Sequence, residues 1–169
     1  MTATSFSLWA PLVVAALVTA LITPLSILIA PILGAMDVPR DARRVHNKPM
    51  PRFGGIAIYA GIMVGLAMFA QTQRHLPAIM VGCTLIYILG AIDDLKGMKP
   101  IVKFAGQVVS ASVVFAMGLR INFVTNWFGE GHMDLGIAVC YFVTVIWLVA
   151  ITNAVNLVDG LDGLAAGIS

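Results

Sequence analysis

The stretch LGIAVCYFVTVIWLVAITNAVNLVDGLDGL, residues 135–164, decides the fold class. It opens with an apolar run from Leu135 to Thr152, and the hydrocarbon core of a bilayer needs about 20 apolar residues per helix. Two amides and two carboxylates follow the run directly, within the segment NAVNLVDGLDGL, residues 153–164. The stretch therefore predicts a transmembrane helix with a cluster of polar groups at its membrane boundary.

The rest of the composition agrees with a membrane protein. The 169 residues are 60% hydrophobic and only 11% charged, and the mean hydropathy is +0.97, far outside the usual range of soluble domains. A net charge of +2 is too small to indicate binding to nucleic acid, so the placement of the charges matters more than their sum.

The span-length criterion predicts an all-α, polytopic transmembrane helix bundle that forms one domain over residues 1–169. The complete spans are expected at Leu8 to Leu33, Gly54 to Ala70, Leu76 to Ile92, Ile101 to Leu119 and Leu135 to Thr152, and a sixth begins near Gly160. Pro24 and Pro31 are expected to bend or end the first helix, because proline lacks a backbone donor. Ala57, Gly61 and Gly65 form a stripe of small residues that allows helices to pack closely.

Lysine and arginine residues set the predicted orientation. They concentrate in the loops at 37–53 and 93–103, whereas only Arg74 and Arg120 fall on the opposite side. By the positive-inside rule, the N-terminus is outside and the loops at 37–53, 93–103 and 153–162 are cytoplasmic. All three polar clusters described next then share one face of the membrane.

The first cluster is RRVHNKPMPRFGG, residues 43–55, and the second is AIDDLKGMKPIVKFAGQ, residues 91–107. The first can hold phosphates, or it can be a basic loop that sets topology or touches anionic headgroups. In the second, Asp93 and Asp94 point in different directions on a helix, so a base or nucleophile beside a metal ligand is one division of roles. A solvated loop with local Asp to Lys pairs is the alternative.

The third cluster follows the last complete span. Asp159 and Asp162 are spaced i, i+3, as are Asn153 and Asn156, and each pair would share a helix face. Alternatively, Asp159 is an N-cap and Asp162 is a first-turn acid that complements the helix dipole. Four acids with amides and basic residues on one face favour a site for phosphates and a divalent cation, and hard oxygen ligands indicate Mg²⁺ or Mn²⁺.

Three motifs together resemble a known family. They are HNKPMPRFGG (46–55), the Asp93–Asp94 pair followed by Lys103 and Gln107, and NAVNLVDGLDGLAAG (153–167). In this order and spacing they are similar to those of the polyprenyl-phosphate N-acetylhexosamine-1-phosphate transferases, glycosyltransferase family 4, and the resemblance covers essentially the whole chain.

The resemblance implies a multi-pass enzyme of the bacterial inner membrane with its active site on the cytoplasmic face. Such an enzyme moves a sugar 1-phosphate from a UDP-N-acetylhexosamine to undecaprenyl phosphate with Mg²⁺, and it releases UMP. The HxKPxPRxGG form resembles the branch that uses UDP-GlcNAc to begin teichoic acid, lipopolysaccharide O-antigen or related envelope polymers. The sibling branch, which transfers phospho-MurNAc-pentapeptide in peptidoglycan synthesis, typically has TPTMGG where this chain has MPRFGG.

The resemblance also implies roles for individual residues. Asp93 is expected to deprotonate the lipid phosphate or to act as a nucleophile, with Asp94 beside it as a second catalytic or metal-binding group. The remaining candidates are metal ligands and substrate contacts: Asp159 and Asn156 for the metal, and His46, Lys48, Arg52, Lys96, Lys103, Asn153, Gly160 and Asp162 for the substrates.

The chain departs from the family in length, because full-length members are about twice as long. We therefore expect the N-terminal half of an enzyme, inactive in isolation. The alternative function class is a non-catalytic membrane fragment that binds a divalent cation. A transporter is disfavoured because the acids cluster at one face rather than near the midplane. The expected partners are the UDP-sugar, the lipid phosphate and the bilayer, without nucleic acid, and a homodimer is left open.

Overall fold

The protein is described from a computed structural model, which describes residues 3–32, 36–37, 50–51, 54–70, 73–126 and 131–158. It is mostly helical and divides into two compact units, Met1–Lys99 and Pro100–Ser169. The prediction of a single transferase domain is tested by none of these observations and stays a prediction.

The described part of the first unit holds three helices and one short ladder. The helices are α1 (Ala3–Ile29), α2 (Gly55–Phe69) and α3 (Leu76–Lys96), and the two-residue strands β1 (Met36–Asp37) and β2 (Met50–Pro51) pair antiparallel. The helix α1 runs through Pro24 and ends two residues before Pro31. Pro31 thus lies where the helix was expected to end, because proline lacks the N–H of the next turn and disfavours helical geometry in the residue before it.

The small-residue stripe packs α2 against α1, as predicted. Ala57, Gly61 and Gly65 are the buried residues of α2, and the Thr19 hydroxyl donates a hydrogen bond to the Ala57 carbonyl at 3.2 Å. A Cβ added at Gly61 would collide with the Thr19 hydroxyl oxygen and lie 2.5 Å from the Ala15 carbonyl oxygen. The two helices approach this closely because glycine has no side chain at the contact.

Two stacked tyrosine rings and a hydrogen bond between hydroxyl groups join α2 to α3. The rings of Tyr59 and Tyr87 stack with their centroids 4.3 Å apart. The Thr84 hydroxyl donates to the Met80 carbonyl at 2.7 Å, which uses its single hydrogen, so the Tyr59 hydroxyl donates to Thr84 at 2.9 Å. Each of these hydroxyl groups within the apolar helices is therefore satisfied.

In the second unit, the residues that the structure describes form two helices and a hairpin. The helices are α4 (Pro100–Ala116) and α5 (Ile137–Val158), and the antiparallel strands β3 (Phe123–Thr125) and β4 (His132–Asp134) lie between them in sequence. The hairpin was not predicted. Ala111, Val145 and Val149 form the buried core between α4 and α5, and the Thr144 hydroxyl accepts the Ile121 amide at 3.0 Å, which ties the start of the hairpin segment to α5.

Among the described residues, three helices are long and apolar enough to cross a membrane: Trp9–Ile29, Leu76–Lys96 and Ile137–Leu157. They carry large exposed apolar side chains such as Leu21, Ile88 and Trp147, as expected of surfaces that face lipid. With 15 and 17 residues, α2 and α4 are only about 22 and 25 Å long at 1.5 Å per residue. The five predicted spans therefore correspond to five helices, while full crossing by α2 and α4, and the orientation, stay predictions.

Candidate functional site

Asp93 and Asp94 lie in the last turn of α3. The sequence predicted that the helix would end at Ile92 and that these acids would emerge into a loop, but α3 continues to Lys96. The helix stops there because Gly97 adopts φ 66°, a left-handed conformation that glycine accepts readily. The Asp93 side chain is half-buried and Asp94 is exposed, so the two carboxylates do face different surroundings.

Asp93 also shapes the turn that follows it. Its backbone carbonyl accepts the Gly97 amide at 2.8 Å, and its Oδ1 accepts the Met98 amide at 2.8 Å. A carboxylate near a helix C-terminus is electrostatically unfavourable, since the unpaired carbonyl groups there carry partial negative charge. Lys96, exposed in the same turn, complements that charge. The position of Asp93 is thus not one that helix stability alone favours.

Within the second unit, a polar seam lies between α4 and α5. The Lys103 ammonium donates to the Asn156 amide oxygen, with 3.3 Å between Nζ and Oδ1. One turn deeper, Asn153 Nδ2 donates to Gln107 Oε1 at 2.7 Å, and Gln107 Nε2 donates to Asn153 Oδ1 at 3.4 Å. The seam therefore contains three of the residues predicted for substrate and metal, Lys103, Asn153 and Asn156.

Gln107 lies in this seam but was not among the predicted site residues. It was noted only as part of a motif, yet among the described residues it is the largest side chain that is fully buried, at 2% exposed. Its spacing of four residues from Lys103 was the available signal, because residues at i and i+4 share a helix face.

Several predicted site residues lie outside the part of the chain that the structure describes. They are His46, Lys48 and Arg52 of the first cluster, and Asp159, Gly160 and Asp162 of the third. Their roles stay predictions.

The described donor groups fit a magnesium ion in part. Among the described residues, no three His, Cys, Asp or Glu side chains are grouped so as to hold a metal ion. Mg²⁺ commonly uses only one or two carboxylates together with substrate phosphate, so the exposed Asp94 is a suitable ligand. Asn156 Oδ1 accepts a hydrogen bond from the Lys103 ammonium, so it can bind a cation only after Lys103 has turned to another partner.

Comparison with known proteins identifies similar sequences. The family described as "Glycosyl transferase family 4" matches residues 76–169. The chain is 43% identical over 158 residues to the "Probable undecaprenyl-phosphate N-acetylglucosaminyl 1-phosphate transferase" of Bacillus subtilis, covering 93% of this chain and 44% of that protein. It is 37% identical to the "Decaprenyl-phosphate N-acetylglucosaminephosphotransferase" of Mycobacterium leprae, over 91% of this chain and 41% of the relative.

A more distant relative bears a related name. The "Undecaprenyl-phosphate alpha-N-acetylglucosaminyl 1-phosphate transferase" of Yersinia pestis is 30% identical over 81% of this chain and 37% of its own length. The chain thus spans less than half the length of each of these relatives. No solved structure matches it.

Proposed function

This chain belongs to glycosyl transferase family 4, and we propose that its protein transfers GlcNAc-1-phosphate from UDP-GlcNAc to a polyprenyl phosphate in the membrane. The observation that carries the proposal is the 43% identity, over 93% of this chain, to a relative named for that transfer. The long apolar helices support a membrane location, where a lipid acceptor is available.

The reaction joins two anions. An oxygen of the lipid phosphate attacks the sugar-linked phosphorus of UDP-GlcNAc, the bond from that phosphorus to the bridging oxygen breaks, and UMP leaves with that oxygen. The product is a polyprenyl diphosphate that carries GlcNAc. Phosphoryl transfer depends mainly on positioning and electrostatic stabilisation, so the residues of interest are those that neutralise and orient phosphate.

Lys103 suits the role of a phosphate ligand. Its ammonium contacts a neutral amide oxygen, and the pair is exposed. An ammonium gains more from a phosphate than from an amide, because hydrogen bonds between ionised groups are the stronger ones. An arriving diphosphate would therefore compete with the Asn156 amide for Lys103. Lys96, exposed on the last turn of α3, is a further candidate for a phosphate contact.

Asp93 is the proposed acid–base or nucleophilic group. In a one-step route it takes the proton of the lipid phosphate. In a two-step route its carboxylate first attacks the sugar-linked phosphorus, displaces UMP, and then passes the sugar phosphate to the lipid. The Met98 amide fixes the position of Oδ1, which supports a carboxylate held in one orientation.

We place Mg²⁺ at the acids of this site, with Asp94 as the described ligand and Asp159 as the further one. When bound, the ion supplies charge neutralisation at the diphosphate and the leaving UMP. The proposed active face is cytoplasmic, with the N-terminus outside, on the basis of the lysine and arginine distribution.

Release of UMP tests the proposal. The protein encoded by the complete gene is purified and incubated with Mg²⁺, undecaprenyl phosphate and UDP-GlcNAc, with EDTA and lipid-free reactions as controls. We expect UMP release that requires both Mg²⁺ and the lipid. Release only from UDP-MurNAc-pentapeptide would instead assign the protein to the sibling branch, and no release from either donor would favour a non-catalytic cation-binding protein.

A further inference from the structure

The amide pair between Gln107 and Asn153 lies in the seam between α4 and α5, directly inside the Lys103–Asn156 contact. Position 103 pairs with 156 and position 107 pairs with 153, so the helices run antiparallel along the seam. The apolar core of Ala111, Val145 and Val149 continues it. Of the two amides Gln107 is buried and Asn153 is exposed, so the pair lies between the exposed, charged end of the seam and its buried, apolar part.

The hydrogens of the Asn153 amide are fully used. Asn153 Nδ2 donates to Gln107 Oε1 at 2.7 Å and to the Val149 carbonyl at 2.8 Å, and an amide nitrogen has only two hydrogens. Its Oδ1 accepts the weaker bond from Gln107 Nε2 at 3.4 Å. A substrate could take a hydrogen bond from Asn153 Nδ2 only by displacing Gln107, on the other helix, or the Val149 carbonyl of its own helix.

The Gln107 side chain is too deeply buried to contact a substrate. It is 2% exposed, and a buried side-chain amide is costly in an apolar region unless it is hydrogen-bonded. A leucine would fit an apolar helix interface better. The pair therefore fixes the register of α4 against α5. A shift of α4 along α5 by one turn would separate the two amides and would also separate Lys103 from Asn156.

We propose that Gln107 and Asn153 are positioning residues that fix the register of α4 against α5 and so hold Lys103 and Asn156 together for the diphosphate substrate. This inference rests on the proposed function, and it replaces direct substrate contact as the role of Asn153. The chemistry recognised at the seam is that of a nucleoside diphosphate sugar, through Lys103, and the amide pair behind it contacts no part of that substrate.

Exchange of the two amides tests this role. In the protein encoded by the complete gene, Gln107→Leu and Asn153→Leu are compared with the double variant Gln107→Asn plus Asn153→Gln, which keeps one long and one short amide. Val145→Ala is the matched control, since it weakens the same helix interface without touching the pair. kcat and KM for UDP-GlcNAc are measured well below the unfolding temperature of every variant, and thermal unfolding is followed in detergent.

We expect each leucine variant to lower kcat by roughly 10- to 100-fold, the loss typical of small displacements in a site, while KM changes by less than about threefold because no substrate contact is lost. The exchange variant should recover most of kcat and of the unfolding temperature. Val145→Ala should lower the unfolding temperature and leave kcat close to that of the unsubstituted protein.

Two results would overturn the proposal. Full kcat in Gln107→Leu would show that the pair does not position the site. Recovery of the unfolding temperature without recovery of kcat in the exchange variant would show that Asn153 meets the substrate itself. Absence of UMP release from the unsubstituted protein would reject the proposed function, and the positioning role with it, whereas the unfolding temperatures would still report whether the two amides are coupled.

Discussion

Asp93 has a structural role in the turn after α3 and a proposed chemical role. Its Oδ1 accepts the Met98 amide and its carbonyl accepts the Gly97 amide, so the residue organises the turn after α3. A base or nucleophile must also be held in a fixed position, and the hydrogen bond from the Met98 amide holds the Asp93 carboxylate in place. The structural role and the proposed chemical role are therefore compatible, and a substitution that preserves the first can isolate the second.

Asp93→Asn is such a substitution, because the asparagine Oδ1 can still accept the Met98 amide while the negative charge is lost. We expect the rate of UMP release to fall by about 10²- to 10⁴-fold, the range typical of a lost acid–base group, with little change in the unfolding temperature. Asp134→Asn, the same change at an exposed position of β4, is the control and should retain full activity. A rate in Asp93→Asn above half that of the unsubstituted protein would exclude a catalytic role.

The sequence predicted some residue-level features of the site better than others. The different surroundings of Asp93 and Asp94 follow from helical geometry alone, because neighbouring residues on any helix point in different directions. The pairing of Gln107 with Asn153 joins residues 46 positions apart. Periodicity places each of them on a face of its own helix, but the register between two helices depends on packing along the whole interface.

At the scale of elements, the helix interiors were predicted well and their ends less well. Apolar length indicated α3 and α5, but α3 continues to Lys96 and α5 to Val158, beyond the predicted limits at Ile92 and Thr152. Hydropathy reports where apolar residues stop, whereas a helix stops where its backbone changes conformation. The exposed polar turns at both ends are helical, and this places the site residues on rigid elements.

The hairpin of β3 and β4 was missed for a related reason. Its strands are only three residues long, too short for alternation of apolar and polar residues to be distinctive. Gly131, at φ 89°, marks the turn before β4, but an isolated glycine in a loop does not by itself predict strand pairing. The hairpin forms from pairing across the loop, as between Val124 and Met133.

The contact between α1 and α2 predicts different outcomes for two glycines. Gly61→Ala places a Cβ against Thr19 and Ala15, whereas a Cβ at Gly65 meets its nearest atoms at an ordinary 3.5 Å. We expect Gly61→Ala to destabilise the protein by about 1 to 3 kcal/mol through overpacking, and Gly65→Ala to be close to neutral. Thermal unfolding in detergent measures both, and equal unfolding temperatures for the two variants would contradict the tight contact at Gly61.

At the scale of the whole molecule, the lysine and arginine distribution predicts opposite sides for the end of α3 and the hairpin. Lys99 and Thr125 are both exposed, so each can carry a reporter cysteine in a background with Cys83→Ala and Cys140→Ala. In spheroplasts, an impermeant maleimide should label Thr125→Cys at once and Lys99→Cys only after the membrane is permeabilised. Labelling with the reverse pattern would place the proposed site on the outer face.

The ladder of β1 and β2 joins residues that are far apart in sequence. Asp37 pairs with Met50 and Met36 with Pro51, so the ladder holds the two flanks of residues 38–49 side by side. Lengthening a segment between two joined ends is inexpensive, since doubling its length adds only about 0.6 kcal/mol of closure entropy. The ladder therefore makes residues 38–49 a natural graft unit: exchanging them for the corresponding segment of a relative should leave the unfolding temperature nearly unchanged.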